Sequence, residues 1–344
     1  MIKACLNAAA VVLSTCHIAS ANGMSETMLD FGNQRTALYA LLTERPEGAA
    51  PVVHELGRRL GVMNSPDGKP YLASSYIAIT PLLQYDHNTN GGSTFNSFDI
   101  YGFNFTVNDE DIADPDLTAG AAMNAGAALA IGSGVTIGAD VQFSYRKGIE
   151  HGHKILENAQ SINIQKTFNE WNYLSGSLTR VNKDVSLSET EDMYAILTAG
   201  RIWGNVSSIN DLSASFVRFY DQQNFQSRGR LDWEIGRAEG FTIKSAAEIG
   251  EKIDGAHLPT TSLQAKVYGN IYGKSASLGF GYIKESGGYF INQSRSDEIY
   301  ALSTSYQFKD SLGLYISFEG RKSSVKELST ENFNMGLTWK PFVF

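Results

Sequence analysis

Five histidines lie beyond the first 21 residues, at positions 54, 87, 151, 153 and 257, and they are where chemistry would be sought. Hydrolysis of a lipid or peptide needs an activated nucleophile beside a base, or carboxylates gathered around a histidine. Asp86 and His87 at the expected outer rim set an acid next to a histidine, and the pattern places no serine with them. No catalytic set emerges, and the chain reads as a non-enzyme. His151-Gly-His153 has the residue types of a metal site, but two histidines without a third ligand do not make one. Asp109, Glu110, Asp111, Asp114 and Asp116 form an oxygen-rich run of the kind Ca²⁺ favours, yet their spacing fits no known loop pattern. The sequence therefore predicts no metal site and no cofactor.

A second kind of chemistry is spread along the chain. Asp140, Arg146, Arg230, Asp232, Glu234, Lys244, Glu248, Lys266, Glu319 and Arg321 each fall on the polar side of an alternating segment, with Gln142 and Gln264 among them. Buried in a dry core, such charges would each cost several kcal/mol unless paired. A water-filled interior removes that cost. There they would line a lumen, set ion preference and bind polar solutes, or brace the wall by pairing across it.

The elements that carry these residues have a period of two. In residues 135–146 Val135, Ile137, Ala139, Val141, Phe143 and Tyr145 share one face, and Thr136, Gly138, Asp140, Gln142, Ser144 and Arg146 the other. Side chains of a strand alternate between faces, so this is a strand with one apolar and one polar side. The pattern predicts 14 strands, at about 71–85, 117–131, 133–147, 155–168, 173–182, 190–203, 210–221, 225–237, 240–252, 260–272, 275–284, 295–308, 311–323 and 330–344. Most are longer than globular strands and long enough to cross a bilayer on a tilt. Short and long connections mostly alternate, with NKDVSLSE and KESGGYFINQSRS among the long ones. That is the layout of an up-and-down membrane barrel with short turns at one rim, where both termini fall. A soluble β-sandwich built from the same strands would not need their length.

The bulk numbers agree. Among 344 residues 33 are glycine, 11% are aromatic and only 19% are charged, below the roughly 25% of soluble domains. The net charge of −8 excludes a broad nucleic-acid surface. Residues 1–21 have Lys3, a short apolar run and Ala19-Ser20-Ala21, the marks of a secretion signal cut after Ala21. Lipidation at Cys16 is the rival reading, but Thr15 is large for the position before it. Both cysteines, Cys5 and Cys16, lie in this leader. Residues 22–70 lack the strand period. Ala37, Leu38, Leu41 and Leu42 predict one short helix, and Pro51 with Val52, Val53, Leu56 and Leu60 a second. They would form a plug, a docking segment or a mere leader to the barrel at 71–344. Residues 86–116 are too apolar for a solvated loop and predict a segment folded into the lumen or over the mouth, or a hairpin extending the wall.

The chain resembles bacterial outer-membrane barrels at its C-terminus. Gly336, Trp339, Phe342 and Phe344 look like the signal that the barrel-assembly machinery reads, except that Phe342 and Phe344 are out of step with Trp339 and Pro341 lacks an N–H. A bulge or frayed end is expected there. YIAITPLLQYDHNTNGG (76–92) resembles the start of the barrel in the surface lipoprotein assembly modulator family, and LYALLTERPEGAAPVVHELGRRLGV resembles one helix pair of that family's repeats. The resemblances imply a barrel in the outer membrane with periplasmic termini, set among outer-membrane lipid and lipopolysaccharide. Two functions follow: a channel for small polar solutes or ions, or a translocation or assembly factor that recruits an exported protein partner. A purely structural role is the third.

Overall fold

The alternation closes into a wall. The structure, a computed structural model, describes residues 23–63, 68–100, 103–168, 171–221 and 223–343; the expected leader and Phe344 lie outside them. The wall begins with β1 (Tyr71–Asp86), and a detached hairpin, β2 (Ser97–Ile100) and β3 (Phe103–Thr106), follows it. The wall resumes with β4 (Asp116–Gly132), β5 (Val135–Gly148), β6 (Lys154–Thr167), β7 (Asn172–Val185) and β8 (Ser188–Gly204). It continues through β9 (Ser208–Tyr220), β10 (Phe225–Arg237), β11 (Phe241–Gly250), β12 (Leu258–Ile271) and β13 (Lys274–Phe290). It ends with β14 (Gln293–Lys309), β15 (Leu312–Ser323), β16 (Thr330–Trp339) and the two-residue β17 (Phe342–Val343). Every neighbouring pair is antiparallel, and β16 returns to β1 through Leu83↔Leu337, so 14 strands form a closed barrel. Closure leaves no bare edge for lipid to meet.

Register assigns the faces. Ile137 opposes Ile164, and Leu178 opposes Ile162; these outward side chains at mid-strand are apolar and exposed. An exposed apolar belt of this extent around a closed sheet is a lipid-facing surface. Aromatics edge the belt at both ends: Phe168, Trp203, Trp233, Tyr306 and Trp339 at one, and Tyr85, Tyr145, Tyr220, Phe225, Tyr282 and Tyr300 at the other. Beyond the second edge the outer positions turn charged, as in the Lys284↔Glu298↔Lys322 row.

The C-terminal parity problem resolves as a one-residue shift. β16 pairs Leu83↔Leu337, but β17 pairs Ile79↔Phe342, one residue out of step. The bulge across Lys340–Pro341 therefore returns Phe342 to the lipid side, where Trp339 also points. Two expected long loops are corrected. NKDVSLSE and KESGGYFINQSRS are strand extensions that turn at 186–187 and at Ile291–Asn292, so the long-loop rim carries two tall hairpins. Residues 291 and 292 both take positive φ, 48° and 63°, the left-handed pair of a tight hairpin turn.

Among the described residues three helices precede the wall, not the two expected: α1 (Met24–Phe31), α2 (Gln34–Glu44) and α3 (Ala50–Arg59). Asn33 caps α2 by accepting from the N–H groups of Arg35 and Thr36. The free N–H groups of Met24 and Ser25 at the start of α1 donate to the Glu44 carboxylate at 2.6 and 2.8 Å. Pro51 stands in the first turn of α3.

Candidate functional site

At a strand spacing of about 4.8 Å and a tilt of about 40°, 14 strands place opposite backbones roughly 28 Å apart. The inner face of that cylinder is the candidate site, and both of its ends are covered.

All ten charged residues singled out from the sequence fall on the polar face opposite the apolar belt. The structure brings eight into contact range of one another or of new partners, Arg321 among them through Glu285 and Asp297. Arg230 faces Glu248, and Glu234, Lys244 and Lys266 stand in one row across β10, β11 and β12. Arg230 grips Asp232 with two nitrogens at 2.6–3.0 Å, and Lys244 reaches Glu234 at 3.3 Å. Arg146 pairs with Asp86 at 3.3 Å, and Arg228, absent from the sequence-based set, pairs with Glu248 at 3.1 Å. Asp140 accepts from the Tyr76 hydroxyl and from Asn163, both at 3.1 Å. Lys266 and Glu319 have no ion pair among the described residues. Lys266 instead lies over the Tyr268 ring, with Lys244 over the same ring. Inside the barrel, the side chains of Arg230, Asp232 and Lys244 keep 39%, 36% and 37% of their surface. That leaves room for water around them, which a packed core would not.

The short-turn rim is occupied by the helices. Met24, Met28, Leu38 and Leu41 form one buried cluster with the inward Tyr173, Ile202 and Ile209 of the wall. α1 rests on β10, β11 and β12, α2 on β8 and β9, and α3 reaches β1 and β4 on the opposite wall. Two packed helices measure about 20 Å across, comparable to the lumen once wall side chains are subtracted. Gly236 makes the fit: a Cβ there would stand 2.0 Å from Met28 Cε. Polar ties add direction. Asn33 donates to Asp211 at 2.9 Å, Thr36 Oγ1 to Glu234 at 2.7 Å, and Arg35 to Gln165 at 2.7 Å while lying over the Tyr173 ring. Tyr173 in turn donates to Asp211 at 2.8 Å. Glu234 thus serves the helices and Lys244 at once, a double role that only the tertiary structure reveals.

The other rim is crossed by residues 87–115. Its base is a knot of hydrogen bonds around Thr89, Asn90 and Asp114, with Thr89 and Asn90 fully buried. From there the Leu187 N–H donates to the Asn90 carbonyl at 2.8 Å, which ties the loop to the β7–β8 hairpin. On the far side Phe95 and Phe98 pack on Phe290 at the tip of β13, with ring centroids 6.4 and 5.8 Å apart. Those two hairpins stand six strands apart on a 14-strand wall, nearly opposite, so the loop spans the mouth. It carries its own hairpin, β2–β3, unpaired with the barrel.

Beside that rim His257 stands 3.2 Å from Glu285 and 3.1 Å from Asp297, a trio with metal-ligand types. Arg295 and Arg321 already hold the same Asp297 oxygen at 2.5 and 2.9 Å, and Arg321 also reaches Glu285. Two guanidiniums at those oxygens oppose a dication, so the two arginines and two carboxylates brace β13, β14 and β15, with the His257 imidazole set against them from the 251–257 loop.

No protein-family model and no curated protein matches the chain, so the resemblance to surface lipoprotein assembly modulators finds no support there. Solved structures share the barrel fold. OccK2 (OpdF) of Pseudomonas aeruginosa, solved with glucuronate, is 8% identical with a TM-score of 0.43, over 80% of this chain and 98% of that one. OccK5 (OpdH) of the same organism is 9% identical at 0.42 over 80% and 99%. OccAB4 of Acinetobacter baumannii is 9% identical at 0.40 over 81% and 100%. At these values the likeness extends to the barrel and carries no further argument.

Proposed function

We propose that this chain is an outer-membrane channel for small polar solutes or ions, non-enzymatic, with its N-terminal helices as a stopper. The observation that carries the reading is the accessible charge inside the closed wall: Arg230, Asp232 and Lys244 face inward and stay more than a third exposed. Paired carboxylates and cations of both signs suit polar solutes better than one ionic species. The short-turn rim, which holds both ends of the wall, is the periplasmic side in this reading, and the charged tall hairpins face outward to lipopolysaccharide. Gly336, Trp339 and Phe342, gathered on the closing strand, fit the role of an assembly signal, to which Phe344 would belong.

The test is conductance in planar bilayers, comparing the full chain with a deletion of residues 24–63. The full chain is expected to conduct little and the deletion to open far more often, by tenfold or more in mean current. Silence from both would overturn the channel reading and favour an assembly factor that recruits an exported protein. Equal, steady conductance from both would retain the channel and dismiss the stopper.

A further inference from the structure

We propose that Asp114, His151 and His153 form a transition-metal site, of the Zn²⁺ class, that clamps the mouth-crossing loop to the barrel wall. The sequence offered two histidines and no third ligand. The fold supplies it: Asp114 Oδ2 lies 2.8 Å from His151 Nδ1 and 3.0 Å from His153 Nε2. The carboxylate comes from the end of the 87–115 segment and the imidazoles from the β5–β6 connection, so an ion would join two separate elements. Imidazole with carboxylate, one position left to water, is a donor set that zinc accepts.

The surroundings favour the ion where those of His257 do not. Neither Lys nor Arg pairs with Asp114 among the described residues. The loop that carries the histidines is fixed from below: Asp116 accepts from the backbone N–H groups of Glu150 and His151 at 3.1 and 2.9 Å, and the Gly148 N–H donates to the His153 carbonyl. Gly152 between the histidines has φ +74°, which a side chain would disfavour. The imidazole centroids are 6.3 Å apart. An ideal tetrahedral pair would place them about 5.2 Å apart, and the Asp114 oxygen now stands between the two nitrogens, so the rings must close by about 1 Å and the carboxylate draw back to admit the ion. Both imidazoles are partly exposed, 39% and 27%, so they have room to rotate and the ion has access from outside. On binding, each ring nitrogen now turned to Asp114 presents its lone pair to the metal, and its proton moves to the far nitrogen of the ring.

The experiment titrates Zn²⁺ alone into the full chain in detergent, purified without a polyhistidine tag, and reads stoichiometry by calorimetry and by metal analysis after dialysis. Two variants are compared, the double variant H151A/H153A and the single variant Asp114→Asn, each checked for heat-modifiable migration as a folded barrel. The expected result is one Zn²⁺ per chain lost in the double variant and bound at least tenfold more weakly by Asp114→Asn. Equal stoichiometry and affinity in wild type and both variants, or no binding by wild type, overturns the site. The readout is independent of conductance, so it stands apart from the channel reading.

Discussion

At the scale of single residues, Gly236 decides whether the helices can sit in the barrel. Met28 fills the space a side chain would take, and Met28 is itself fully buried, so it has nowhere to retreat. Overpacking of this kind costs about 1–3 kcal/mol, which moves a two-state equilibrium roughly 5- to 150-fold. Gly236→Val is expected to shift the helices out of the lumen and raise mean current by a factor in that range; an unchanged current would show that α1 does not obstruct flow. The residues that could be found from sequence were those whose chemistry repeats locally. Arg230, Asp232, Lys244 and Lys266 were legible because each alternates with an apolar neighbour in its own strand. Arg228 lies in the same inward row and was missed, as was Asp114 as a histidine partner, because each gains its meaning from a contact made across the fold.

At the scale of elements, the period of two was enough to place every wall strand, since a one-residue error would turn the apolar face to water. It could not tell a tall hairpin from a loop. Above the lipid belt both faces of β7, β8, β13 and β14 carry polar residues, and the alternation that marks a strand fades there while the hydrogen-bond ladder continues. α1 escaped detection for a related reason: its buried side is essentially Met24, Ser25, Thr27 and Met28, too short and too mixed to signal a helix alone. The last element is legible as a departure. β17 pairs with β1 only after the bulge at Lys340–Pro341, so it adds a short stretch of ladder to the seam. Deleting residues 340–344 is expected to leave the Leu83↔Leu337 seam intact while lowering the temperature of heat-modifiable unfolding by several degrees and slowing assembly. A truncated chain that assembles at the native rate would show that β17 and its aromatics are dispensable.

At the scale of the whole molecule, the interior is a chamber with something across each end. The helices and the 87–115 segment hang from different parts of the wall: the helices rest on β8–β12, β1 and β4 at the short-turn rim, and the segment ties β7–β8 to β13 at the opposite one. If they move independently, an unobstructed path exists only for the product of their two open fractions. Two coverings each displaced one-tenth of the time would leave the through-path open for about one-hundredth. Recordings from the intact chain are then expected to show sparse, brief openings, and removal of the helices alone should raise open probability while leaving unit conductance nearly fixed. A rise in unit conductance with unchanged open probability would mean a static narrowing instead.

In the channel reading proposed above, that arrangement would work as an airlock. A solute can step in from one side and wait among the charges at mid-depth while no current passes. Occupancy and flux would then be governed by different moving parts, and a compound that lingers inside could be recognised by how long it stays before it is ever delivered.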